Sequence, residues 1–263
     1  DVEKFRLGRV ILARATAPLL RVDKEWTTEF LLPFFDWQAS VDEARVCWIG
    51  FLHSPRRVPA LLNLLKGPFL ATSNHLGELG EDCREVYARF FTYVAIEPAG
   101  VFSDQEIRAV FDRFENSDLW NAARTLRDVI EGAGNKGEVF WRDTLKPFIK
   151  KIWPKSDDKK SGRIATQFAE VCIAADQEFP DAVATLKPHL REVQFPDTIL
   201  DKLIKVNLHI RFPEAALELV FLVVGEKPGY RLKSLKAILD GIGNELPGLK
   251  RRREFKRLQE LLE

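Results

Sequence analysis

Apolar residues recur along this chain at intervals of three and four, the period that gathers them on one face of an α-helix. Ala44, Cys47, Trp48 and Phe51 make one such face, and Ile107, Val110, Phe111 and Phe114 make another. Each is preceded by the S-x-x-E pattern of a capping box, Ser40 with Glu43 and Ser103 with Glu106. In that motif the serine oxygen accepts a backbone N–H of the first turn while the glutamate reaches back to the serine N–H. Further stripes run through Leu119, Ala123, Leu126 and Ile130, through Ile164, Phe168, Val171 and Ala175, and through Leu235, Ile238, Leu239 and Ile242. Phe255, Leu258 and Leu262 end the series.

Proline marks the places where these helices start and stop, because it lacks an N–H and clashes with the turn before it. Pro18, Pro33, Pro55, Pro68, Pro98, Pro154, Pro180, Pro196, Pro213, Pro228 and Pro247 fall between or at the edges of the stripes. The pattern predicts an all-α chain of about thirteen helices, stacked as antiparallel pairs in an irregular HEAT-like α-solenoid. No fixed repeat period is present. Leu219 to Val224 is rich in β-branched residues and leaves a strand open there. The run from Trp153 to Gly162 is polar, turn-rich and without apolar period, so residues 154–162 read either as a linker between helical halves 1–153 and 163–263 or as a surface loop in one continuous stack.

Composition narrows the function classes. Forty basic and thirty-nine acidic side chains give a formal net charge of +1, which argues for neither a nucleic-acid binder nor an acidic tail as a whole. Cys47, Cys83 and Cys172 are odd in number, far apart and each within an apolar helical pattern, as expected of buried thiols in a reducing compartment. No signal-peptide pattern occurs, and the most apolar run, Ala215 to Val224, is interrupted by Glu218 and too short for a bilayer. A cytoplasmic protein without a membrane partner is the expectation. The chain begins at Asp1 and has no methionine, which predicts a domain excised from a longer protein.

The sequence offers no catalytic, cofactor-binding or metal-binding residues. Neither a G-x-x-x-x-G-K-[ST] nor a G-x-G-x-x-G loop is present, and Gly241-Ile242-Gly243 follows a helix, where it reads as a termination signal. His53, His75, His189 and His209 are dispersed and share no ligand spacing with the cysteines. Two basic clusters stand out. Residues 146–160 carry six lysines (146, 150, 151, 155, 159 and 160) against Asp157 and Asp158, and the second cluster is Lys250, Arg251, Arg252, Arg253, Lys256 and Arg257 with Glu254 among them. Such clusters are either solvated helix faces or sites for an acidic partner, nucleic acid included. Large aromatics at helical spacing are core anchors far more often than ligand cages, but Trp37 and Arg56, flanking the aromatic helix of Trp48 and Phe51, would suit a protein interface if the fold exposes them.

The aromatic segment carries a resemblance. Phe35-Asp36-Trp37 followed by W-x-x-F-L-x-S-P-R (Trp48, Phe51, Leu52, Ser54, Pro55 and Arg56) is similar to a helical C-terminal domain of bacterial antiphage defence proteins, found downstream of a sirtuin-like NAD-hydrolase domain. Phe212-Pro213 with the Leu-rich helix behind it, Tyr230, Leu235 to Leu239, Pro247 and the last Arg-rich helix match its ending. The resemblance implies a sensor or scaffold that recognises or assembles with a protein: the parent's own enzyme domain, a second copy or a phage protein. The glycine-rich NAD loop and the His-Asn features of the enzyme are absent, so a non-enzymatic domain is expected. No functional residue carries over.

Overall fold

The capped starts form helices. Ser103 closes a complete box, its hydroxyl accepting from Glu106 N and Glu106 bonding back to Ser103 N at 2.7 Å. Ser40 also caps, accepting from Glu43 N, but Glu43 does not return the bond. The Ser40 N–H donates to the Asp36 carbonyl instead, and Glu43 turns to Arg6 and Arg9. A half-used box leaves its carboxylate available to tie down another helix.

This computed structural model describes residues 2–97, 100–225 and 232–262, so Pro98, Pro228 and Tyr230 lie outside the described residues. Among the described residues the regular structure is entirely helical, with 3-10 and π turns linking many α-helical pieces. No strand occurs among them. Leu219 to Val224 belongs to the helix Pro213–Val224, begun by Pro213 in its first turn. There Ala216, Leu217, Leu219, Val220, Val223 and Val224 are all buried. Packing on several sides overrides the modest β preference of the valines.

The chain divides into two compact units, residues 1–121 and 122–263. In the first, the helices Val2–Arg14, Val41–Leu52 and Glu81–Ala95 surround an aromatic core. Phe35 meets Trp48 edge-on at 4.9 Å, Trp48 meets Phe69 at 5.5 Å, and Phe91 meets Phe102 at 5.4 Å. Each polar handle inside is bonded: Trp48 Nε1 donates to Phe35 O at 3.0 Å and Tyr87 Oη to Phe69 O at 2.8 Å. That satisfaction lets large amphipathic rings serve as core without an orphaned donor. Gly50 lets two helices close on each other, since a Cβ there would stand 2.5 Å from Val10 O and 3.0 Å from Ala13 Cβ.

In the second unit, Gly162–Ala174 packs on Phe179–Leu186, Asp197–Lys205 and Pro213–Val224, and Pro213–Val224 packs on Leu235–Glu245 and Arg253–Glu260. The predicted stripe Ile164, Phe168, Val171 and Ala175 is fully buried. Residues 154–162 lie within this unit. Trp153, 2% exposed, seats its ring on Phe168 at 4.8 Å, and Ser161 caps the helix that follows. The two units meet in sequence within the helix Asn116–Gly132, between residues 121 and 122.

Candidate binding surfaces

The fold separates the residues singled out from sequence. Trp37 is 4% exposed. Its Nε1 donates to Thr72 Oγ1 at 2.9 Å and its ring stacks on His75 at 4.3 Å, so it is a core anchor and not an exposed contact. Both partners lie about 35 residues ahead, beyond the reach of a local pattern. Arg56 is exposed in the irregular segment after Val41–Leu52. Its neighbour Arg57 lies over the Tyr93 ring at 4.0 Å and pairs with Glu97.

The 146–160 cluster is partly neutralised from within the chain. Lys146 bonds Asp181 at 2.7 Å and Lys160 bonds Asp157 at 2.6 Å. In the C-terminal cluster Arg252 pairs with Glu214 and Arg257 with Glu260, each at 2.9 Å, while Lys250, Arg251, Arg253 and Lys256 remain exposed. Lys250 and Arg251 lie in the 3-10 turn Pro247–Arg251, and Arg253 and Lys256 in the helix Arg253–Glu260, which buries Phe255 and Leu258.

The three cysteines and two of the histidines are buried. Cys47, Cys83 and Cys172 are buried and unbridged. Burial pushes the Cys47 thiol up to about 12, with Glu43 adding to the effect, and raises Cys83 and Cys172 as well. Such thiols are poor nucleophiles. His189 is pushed down to about 4, chiefly by burial and further by Lys160, Lys155 and Arg191. His209 is also buried, its Nδ1 3.4 Å from Leu203 O. Among the described residues no group of three or more His, Cys, Asp or Glu is arranged to hold a metal, and no helix is long and apolar enough to cross a membrane.

Buried carboxylates serve as braces. Asp118, 1% exposed, takes two bonds of 2.7 Å from Arg84 and one from Glu115 N, joining Glu81–Ala95 to the start of Asn116–Gly132. Glu170, 6% exposed, holds Arg127 at 2.9 Å and Lys202 at 2.8 Å. Both arginines have their charge matched where they sit.

The surface with the least internal explanation is the first helix, Val2–Arg14. Its inward side carries Arg6, Arg9, Val10 and Ala13, at helical spacing. Arg6 bonds Asp42 at 2.9 Å, Arg9 pairs with Glu43, and the Arg9 guanidinium lies 4.4 Å over the Phe34 ring. The outward side holds Phe5, Leu7 and Ile11, each at least 67% exposed, with Leu12 at 37%. Apolar side chains stand on both sides of this helix: Val10 and Ala13 face the protein beside Arg6 and Arg9, while Phe5, Leu7 and Ile11 stand in solvent with Arg14. Val22, Trp26 and Phe30, four residues apart, are likewise exposed in the segments that follow. The four outward residues of the helix alone expose on the order of a few hundred Å², the size of patch that marks interaction surfaces on folded proteins.

Over 121 residues, 45% of the chain, the sequence is 29% identical to a protein of Sinorhizobium fredii (strain NBRC 101917 / NGR234) named Uncharacterized protein y4cA. The matched stretch is 10% of that protein's length, so the chain corresponds to a small part of it. No protein-family model matches the chain. No solved structure matches it.

Proposed function

We propose that this chain is a non-catalytic helical recognition or assembly module of a larger protein, docking a protein surface through the outward face of Val2–Arg14. The observation that carries the reading is the exposure of Phe5, Leu7 and Ile11 on that helix. Leaving Phe5, Leu7 and Ile11 in water forgoes roughly 1.5–3 kcal/mol of burial for each side chain, while Arg6 and Arg9 are paired with Asp42 and Glu43 on the inner side. A docked partner recovers that burial.

Several observations support the wider setting. The relative's far greater length fits a module within a long polypeptide. The resemblance of the Phe35–Arg56 and C-terminal segments to antiphage defence proteins makes an NAD-hydrolase domain of the same bacterial protein the proposed partner, with cytoplasmic location following from it. The finer architecture, an irregular HEAT-like stack, belongs to this proposal, supported by helices that pack on their near neighbours in sequence. The nucleic-acid reading has weaker support, because Lys146, Lys160, Arg252 and Arg257 spend charge on the chain's own carboxylates.

The test is Leu7→Glu/Ile11→Glu in this chain, co-expressed with the remainder of the larger protein as a separate polypeptide. Both positions are exposed, so folding should persist, while co-purification of the module with the separately expressed remainder should be lost. Retained co-purification would overturn the docking face.

A further inference from the structure

The second unit carries a cavity of about 470 Å³ close to the C-terminal basic face. Lys233, Lys236 and Lys250 line it together with apolar Leu239 and Phe255, and Asp240 is the acidic group among the lining. The three lysines come from separate pieces of structure: the turn before Leu235–Glu245, the first turn of that helix, and the 3-10 turn Pro247–Arg251. We propose that this cavity binds a small phosphomonoester with an apolar, preferably aromatic, body.

Three features argue for a ligand over an ordinary solvated face. The first is unspent charge. Elsewhere in the unit Lys146, Lys160, Lys187, Lys202, Arg211 and Arg252 each reach a carboxylate within 3.1 Å. Lys233, Lys236 and Lys250 form no ion pair among the described residues, and Asp240 forms none with them. Three cations against one carboxylate leave a net positive lining. Two of these lysines also stand at the amino end of a helix, where the backbone dipole disfavours a cation and favours an anion.

The second feature is positioning. A Cβ on Gly243 would collide with Lys250 Cε, so the absence of a side chain there gives the lysine stem its seat along the buried side of Leu235–Glu245. Ser234 bonds Asp201, which ties down the turn carrying Lys233. The third feature is the mixed lining. Its volume falls within the usual range of ligand sites, about 300–1,000 Å³. A lining that mixes apolar side chains with lysines matches a molecule with an apolar body and a dianionic head; bare phosphate would leave the apolar part unused. The proposal is independent of the docking face, which lies in the first unit.

Isothermal titration with 1-naphthyl phosphate, inorganic phosphate and 1-naphthol separates the contributions of head and body. The expected result is saturable binding of naphthyl phosphate at least tenfold tighter than either half, weakening as salt rises. Lys236→Gln and Lys250→Gln should each lower its affinity about tenfold, the loss of one charge-assisted hydrogen bond. Gly243→Ala should weaken binding without removing a charge. If Gly243→Ala fails to fold, the exposed lysine variants, checked by circular dichroism, still decide the matter. Absence of saturable binding up to millimolar naphthyl phosphate, or equal affinity in the folded Lys233→Gln/Lys236→Gln/Lys250→Gln variant, would overturn the proposal.

Discussion

Replacing Glu170 by alanine tests whether buried charge holds the second unit together. Its carboxylate is 6% exposed and joins three helices, with Arg127 of Asn116–Gly132 at 2.9 Å and Lys202 of Asp197–Lys205 at 2.8 Å. Removing one partner of a buried ion pair costs about 3–5 kcal/mol, because the remaining charge stays desolvated. The cost here is smaller, since Arg127 keeps Asp128 at 2.5 Å and Lys202 keeps Glu131 at 3.1 Å. Both cations are also partly solvated, at 20% and 37% exposure. A loss of about 2–3 kcal/mol is expected. Hydrogen exchange of the Gly162–Ala174 amides reads the opening free energy of this unit directly, and urea unfolding provides the second measurement. The double variant Glu170→Ala/Lys202→Met should lose less than the sum of the single variants, by at least about 1 kcal/mol. A Glu170→Ala loss below about 0.5 kcal/mol, or strict additivity, would refute the brace.

Gly50→Ala should destabilise the first unit by about 1–3 kcal/mol, because a backbone carbonyl at 2.5 Å cannot move aside as a flexible side chain would; a thermal melt unchanged from wild type contradicts this. His189 makes stability pH-dependent: its folded pKa of about 4 lies below the unfolded value of 6.5, so the unfolded chain binds the proton more readily. Its contribution is complete above about pH 6.5 and is lost as pH falls towards 4, and His189→Gln should flatten the melting profile across that window. Cys47, Cys83 and Cys172 should resist iodoacetamide at pH 8 until urea unfolds the chain; rapid labelling of all three in native buffer would contradict their burial.

Helical character was legible because periodic apolar faces and caps are local signals. Ser103 and Glu106 announce a helix within four residues, and Leu119, Ala123, Leu126 and Ile130 are buried as their spacing predicts. Signals that depend on distant partners were not legible. Nothing near Trp37 indicates that Thr72 and His75 will bury it, and nothing near Glu43 indicates that Arg6 and Arg9 will draw its side chain away from the cap. The first helix has apolar residues on both sides of its wheel, so period alone could not say which side meets the core. Asp42 and Glu43 decide it by holding the arginines inward. The lysine-lined cavity was half visible: Lys250 stood out within a basic run, but Lys233 and Lys236 join it only through folding.

The proposed docking role of the first helix is tested most directly by carbene footprinting of this chain alone and within the larger protein proposed to contain it. Phe5, Leu7 and Ile11 should label strongly in the isolated chain and become protected in the parent, while exposed Arg56 serves as a reference that labels alike in both. Equal labelling of the three apolar residues in both contexts would contradict the proposed docking face.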